Sequence, residues 1–202
     1  MPDEQIDERL LRLARRGDEA AFLSLYERHH APVFRFACRL LGDAATAEDV
    51  LHDCFLDLVR PADGAADYDA SRGSLRNYLY GMARHRALKF FRRTARECEL
   101  DDAAGEAGAV ESRVESQTPL AHLLDAELGE IVRRAIQALP PLQRESLVLF
   151  EYEELSLAEI AEIVGVDINT VKARLFRARR TLRKTLAPHS SPYGVEALTL
   201  KD

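Results

Sequence analysis

Apolar positions recur at helical spacing along most of this chain and nowhere alternate at the two-residue period of a strand. The pattern predicts helices over Glu8–Arg16, Glu19–Leu41, Ala45–Val59 and Ser74–Arg96, then a second helical unit over about Ala121–Ala187, broken at Pro140-Pro141. Gly42 is placed to stop the second helix, with Asp43 and Thr46 as capping candidates for the third. Pro61–Asp67 and Asp69–Gly73 are turn-rich. Between the units, from Glu97 to Gln117, periodicity is lost and seven acids face Arg113 alone, the composition of a linker with too little apolar content to fold. The expected fold class is therefore all-α: two small helical domains, 7–96 and 121–187, joined by an acidic flexible linker over 97–120 and followed by a flexible tail over 188–202.

Within the second unit the spacing is more specific. Leu157, Ile160, Ala161 and Val164 fall on one helical face, Ser156 and Glu159 stand at capping-box spacing, and Gly165 supplies a left-handed stop. A second helix follows, with Asp167 or Asn169 to cap it and an inward stripe of Val171, Leu175, Ala178, Leu182 and Leu186. Helix, glycine turn, helix is the layout of a helix-turn-helix DNA reader, whose second helix enters the major groove. Residues 172–184 carry seven bases and no acid. Phe176 stands among them on the outward face, suited to a thymine methyl.

Two other segments carry chemistry. Between Arg72 and Arg96 there are eight arginines or lysines and no acid, interleaved with Tyr78, Tyr80, Phe90 and Phe91. Bases for phosphates with aromatics for stacking suit single-stranded or distorted nucleic acid. Leu75, Leu79, Met82, Ala83 and Phe90 form the core stripe of that helix, so Phe90 is expected to pack, and Arg86, on the same stripe, to find a carboxylate if buried. Outward candidates are Asn77, Arg84, His85, Leu88 and Arg92. Over Ala47–Val59, Val50, Leu51, Cys54, Phe55 and Leu58 form a buried stripe while Glu48, Asp49, His52, Asp53 and Asp57 face out. An acidic face repels DNA and suits a basic protein partner.

The formal net charge of −6 would argue against a nucleic-acid partner were the charges not so strongly segregated. No apolar run approaches membrane-spanning length and the N-terminus is acidic, so a cytoplasmic location is expected. Three widely spaced cysteines make no disulfide framework; Cys38 and Cys54 read as small core residues. No phosphate loop, nucleophile elbow or metal-ligand spacing is present, the histidines 29, 30 and 52 with Cys38 included, so neither enzyme activity, metal nor cofactor is expected. Glu153-Glu154 reads as a solvated turn.

The segments Ala47-Glu-Asp-Val-Leu-His-Asp-Cys-Phe-Leu56, Leu75-Arg-Asn-Tyr-Leu-Tyr-Gly-Met-Ala-Arg-His-Arg-Ala-Leu88 and Leu139-Pro-Pro-Leu-Gln-Arg-Glu145, followed by the helix-turn-helix, resemble the extracytoplasmic-function branch of bacterial RNA polymerase sigma factors over about residues 18–96 and 126–186. The resemblance implies that Asp49, His52, Asp53 and Phe55 dock on the clamp helices of the polymerase β′ subunit. It implies that Arg72, Arg76, Asn77, Tyr80, Arg84, His85, Leu88 and Arg92 capture and help melt the −10 element. At the −35 element it places Lys172, Ala173, Phe176 and Arg177 nearest the bases and Arg174 and Arg179 nearer the phosphates, with Arg180 also among the contacts. It further implies contact with the β flap, a linker in the polymerase's basic channels, and an anti-sigma factor as a partner. The chain departs from the family with His52 and Asp53 for the usual Gln and Glu, His85 for Asn, and Lys89 for an acid. Two rival functions fit fewer segments: a helix-turn-helix regulator with a sensory or partner-binding N-terminal domain, and a protein that sequesters polymerase. The regulator explains the helix-turn-helix but not the basic, aromatic helix at 72–96.

Overall fold

A computed structural model describes residues 2–60, 68–98 and 119–189, with side chains over 5–60, 68–93 and 127–188. The described residues form α1 (Pro2–Ala14), α2 (Glu19–Leu41), α3 (Ala44–Val59), α4 (Leu75–Cys98), α5 (Pro119–Gln137), α6 (Pro141–Glu151), α7 (Leu157–Val164) and α8 (Ile168–Leu186), then one 3-10 turn at Ala187–His189. No strand occurs among them. The expected linker falls almost wholly outside the described residues, as does the tail beyond 189.

Helix ends follow their local chemistry. Asp18 accepts the Ala21 N–H at 3.0 Å to open α2, and Gly42, at φ +79°, closes it with its N–H on the Cys38 carbonyl. Asp43 caps α3 through the Thr46 N–H at 2.7 Å. Pro141 starts α6, where its missing N–H costs nothing. The Ser156–Glu159 capping box opens α7 and Gly165, at φ +68°, ends it. Asp167, rather than Asn169, caps α8.

In the N-terminal unit α2 is central, and its buried Leu25, Val33, Phe36 and Leu40 meet the apolar faces of α3 and α4. Phe36 packs its ring on Tyr80 with centroids 5.0 Å apart. In the C-terminal unit Val148, Leu149, Ile160, Val164, Val171 and Leu175 are buried together between α6, α7 and α8. Each such side chain contributes about 1.5–3 kcal/mol of burial. The two units are pressed together, with α5 and α6 against α2, and α6 and α7 against α4, and their buried apolar residues form one contiguous cluster.

The seam between the units is polar where it crosses the end of α2. Arg144, on α6, is buried and donates to the Leu40 carbonyl at 2.6 Å, to the Gln137 side chain at 2.7 Å, and to the Leu139 and Gln137 carbonyls. Burial pulls its pKa down to about 10. Gln137 donates in turn to the Arg39 carbonyl at 2.7 Å. A C-terminal-unit arginine and glutamine thus take up carbonyls at the end of α2 that its own helix leaves unpaired.

Candidate nucleic-acid interface

The recognition helix α8 presents a continuous exposed face. Lys172, Phe176, Arg177, Arg180 and Arg183 are all exposed, and Phe176 keeps 67% of its surface in solvent. The ring lies outside the buried stripe of Val171, Leu175 and Ala178. Ala173 is half-buried. Two of the predicted phosphate contacts are already engaged: Arg179 binds Glu151 at 2.7 Å beside the Phe150 ring, and Arg174 binds Glu145 at 3.0 Å.

Helix α4 is divided between two environments. Arg72, just before it, and Arg76, His85 and Arg92 are exposed. Asn77, Tyr80, Arg84 and Leu88, at steps of three and four, share the face turned toward the C-terminal unit. There the Asn77 amide donates to Glu159 at 3.2 Å, the Tyr80 hydroxyl to Glu153, and Arg84 makes a two-pronged pair with Glu145 at 2.8 and 3.2 Å. Tyr80 is wholly buried, which corrects its reading as an open nucleic-acid contact: its ring belongs to the core and its hydroxyl to Glu153. Phe90 is corrected the other way. Ala87 is the last fully buried residue of its stripe, and Phe90, one turn on, is 40% exposed.

Glu145 is the acid at the centre, its carboxylate without solvent exposure between Arg84 and Arg174. Burial pushes its carboxyl above the ordinary glutamate value, opposed by both guanidiniums. Glu153 is likewise enclosed, paired with Arg39 at 3.3 Å and with Tyr80, whose phenol is raised beyond its usual range by burial and by this carboxylate. The expectation of a solvated Glu153-Glu154 turn therefore fails at Glu153 and holds at the exposed Glu154. The α6 wheel held a signal for Glu145, which shares a face with the apolar Val148 and Leu149.

On α3, Glu48, Asp49, His52, Asp53 and Asp57 are exposed as the pattern required. Arg86 finds its carboxylates here, at Asp53 (2.8 Å) and Asp57. Phe55 does not join this face. It is 2% exposed and packs against Phe22 and Tyr26, because its place on the wheel is the core stripe. The apolar group that does stand in the acidic face is Leu56, 56% exposed, which the sequence reading passed over. Cys54 is buried and Cys38 half-buried, both as free thiols, and burial pushes them up to about 12 and about 11. His29 bonds Asp7 at 2.9 Å within the N-terminal unit, and among the described residues no cluster of potential metal ligands forms.

The family model of sigma-70 region 2 matches residues 25–97 and that of sigma-70 region 4 matches residues 129–182. The chain is 30% identical over 181 residues to the ECF RNA polymerase sigma factor SigK of Mycobacterium ulcerans, covering 88% of this chain and 91% of that one. It is an extracytoplasmic-function sigma factor. SigW of Bacillus subtilis is 28% identical over 187 residues, 91% of this chain and 98% of its own. The fold is shared with RpoE of Bartonella quintana, solved with the anti-sigma factor NepR (TM-score 0.64, 22% identity, 82% and 96% covered). It is shared also with CnrH, solved with the cytosolic domain of CnrY (TM-score 0.61, 24% identity, 92% and 99% covered). As a sigma factor the protein binds core RNA polymerase, directs it to promoters and acts in melting the −10 region to start transcription. Among the described residues no helix is long and apolar enough to cross a membrane.

Proposed function

We propose that this sigma factor grips its promoter at two places and polymerase at a third, through the faces described above. The observation that carries the reading is the exposed, acid-free face of α8, with Phe176 at its centre. Lys172, Phe176 and Arg177 read −35 base edges, and Arg180 and Arg183 hold phosphates. Arg72, Arg76 and Arg92 track the non-template −10 strand, and His85 stacks on and hydrogen-bonds an unstacked base. The acidic face of α3, with Leu56 as apolar centre, docks on the β′ clamp, and the C-terminal unit meets the β flap. Because RpoE, which shares this fold, was solved with the anti-sigma factor NepR, an anti-sigma factor is proposed for this chain too.

His85→Ala tests the −10 assignment. It is expected to lower open-complex formation by the holoenzyme, followed by fluorescence of a −10 base analogue, more than it lowers binding to duplex promoter. Equal losses in the two assays would remove His85 from the melting step.

A further inference from the structure

Within the N-terminal unit one side chain ties the acidic helix α3 to the −10 helix α4. Arg86 projects from α4 and donates through Nη1 to Asp53 at 2.8 Å, and through Nη2 to Asp57 and to the Asp53 carbonyl, the latter at 3.3 Å. Asp53 and Asp57 stand one turn apart on α3, so the two prongs of a single planar guanidinium span that turn. The same group meets the sulfur of Cys54, which is wholly buried. Both carboxylates are more than half exposed, yet the Arg86 side chain keeps only 26% of its surface in solvent. Glu48 and Asp49, nearer the start of α3, are exposed and have no ion pair among the described residues. The residue before Arg86 is His85, the exposed side chain set against an unstacked base above. We propose that Arg86 is a positioning residue for promoter melting: forked onto Asp53 and Asp57, it holds α4 in the rotation that presents His85 to the −10 strand once α3 is seated on polymerase. Asp53 then serves inside the sigma factor, and the docking charge falls to Glu48 and Asp49. The proposal rests on the assignment of α3 to polymerase and of α4 to the −10 element.

Apolar burial between helices is non-directional, whereas a two-pronged, charge-assisted hydrogen bond fixes orientation as well as distance. Successive residues of α4 advance by 100°, so the rotation set at Arg86 is also the rotation of His85. Ion pairs between exposed groups add little to stability, and both acids here are open to solvent. The effect of the fork therefore falls on geometry rather than on folding. Where geometry decides a step, a displacement of about 1 Å can cost up to about a hundredfold. A lysine at 86 would keep the charge, but as a point charge it cannot span both carboxylates.

Breaking the fork from either side tests this. Full-length chains are compared for affinity to core polymerase by competition. As holoenzymes they are compared for promoter affinity and for the rate of isomerisation to the open complex at saturating promoter, read from a fluorescent −10 base analogue. Circular dichroism checks folding. Arg86→Lys is expected to unfold at the wild-type temperature, to bind core and promoter within twofold of wild type, and to isomerise about tenfold more slowly. The double variant Asp53→Asn/Asp57→Asn attacks the same fork from α3 and should reproduce that slowing; combining it with Arg86→Lys should add nothing further. Asp49→Asn should do the reverse, weakening core binding while leaving isomerisation unchanged. Wild-type isomerisation in Arg86→Lys overturns the proposal. Unchanged or faster isomerisation in the double variant also overturns it, because an Arg86 released from α3 would then be acting on the strand itself. Additive losses in the combination do the same. A loss of core affinity in the double variant equal to that of Asp49→Asn overturns the internal role of Asp53. His85→Ala separates the proposal from the reading beneath it. If that variant isomerises at the wild-type rate, the assignment of α4 falls; if it is slow while Arg86→Lys is not, the fork alone is removed.

Discussion

Gly42 carries two structural demands at once, and Gly42→Ala separates them. Its φ of +79° lies in the left-handed region, where an alanine costs about 1–2 kcal/mol. A Cβ there would also stand 2.8 Å from Oε1 of Gln137, too close for any real contact. Gln137 is flexible but not free to retreat, since it donates to the Arg39 carbonyl and accepts from Arg144, both at 2.7 Å. Displacing it costs a further ~1–2 kcal/mol in weakened hydrogen bonds. The sum, about 3 kcal/mol, corresponds to a melting-temperature fall of roughly 6–12 °C for a chain of this size. Urea and thermal unfolding followed by circular dichroism read it directly. A double-mutant cycle with Gln137→Ala isolates the second demand. With the glutamine gone, alanine at 42 should cost only the backbone strain, giving a coupling of about 1–2 kcal/mol. Equal costs in both backgrounds would refute the reasoning, because the clash would then contribute nothing.

Other perturbations address the surfaces. Phe176→Ala should change stability by less than about 0.5 kcal/mol, since the ring is exposed, while reducing transcription from a promoter with an intact −35 element at least tenfold. Leu56→Asp should leave folding intact and weaken holoenzyme assembly about tenfold in a competition assay for core polymerase. Asp43 is held below the ordinary carboxylate range by hydrogen bonds from the Thr46 hydroxyl and N–H. A depressed folded pKa contributes stability that is present above the unfolded value, near 4, and lost as pH falls through the folded value. Asp43→Asn keeps a cap without a charge, so its urea midpoint should fall less than that of wild type between pH 5 and pH 2.5; parallel curves would rule the cap out as a source of acid lability.

The local parts of this molecule were legible because local chemistry decides them. Ser156, Glu159, Gly165 and the Val171–Leu175–Ala178 stripe fix the helix-turn-helix within about thirty residues, and the structure follows them. The exposed acids of α3 were equally readable from one helical wheel, and the wheel of α4 set Arg86 on an apolar stripe without naming Asp53 and Asp57 as its partners. Phe55 shows the limit of carrying a family role onto a wheel that contradicts it, since its core position was visible in the spacing. Tyr80, Arg84, Glu145 and Glu153 were misplaced or overlooked for a different reason. Tyr80 meets Glu153 across 73 residues of chain and Arg84 meets Glu145 across 61, and periodicity says which face a residue occupies without saying what covers that face. Phe90 failed because α4 outruns the buried part of its own stripe.

The central claim, that the chain reads promoters as a bipartite subunit of polymerase, is tested most directly by run-off transcription with purified core polymerase. Specific transcripts are expected only when this chain is added to core, and should be lost when either the −35 or the −10 element is scrambled. Tight sequence-specific binding to duplex DNA without polymerase, coupled with no chain-dependent transcript, would contradict it.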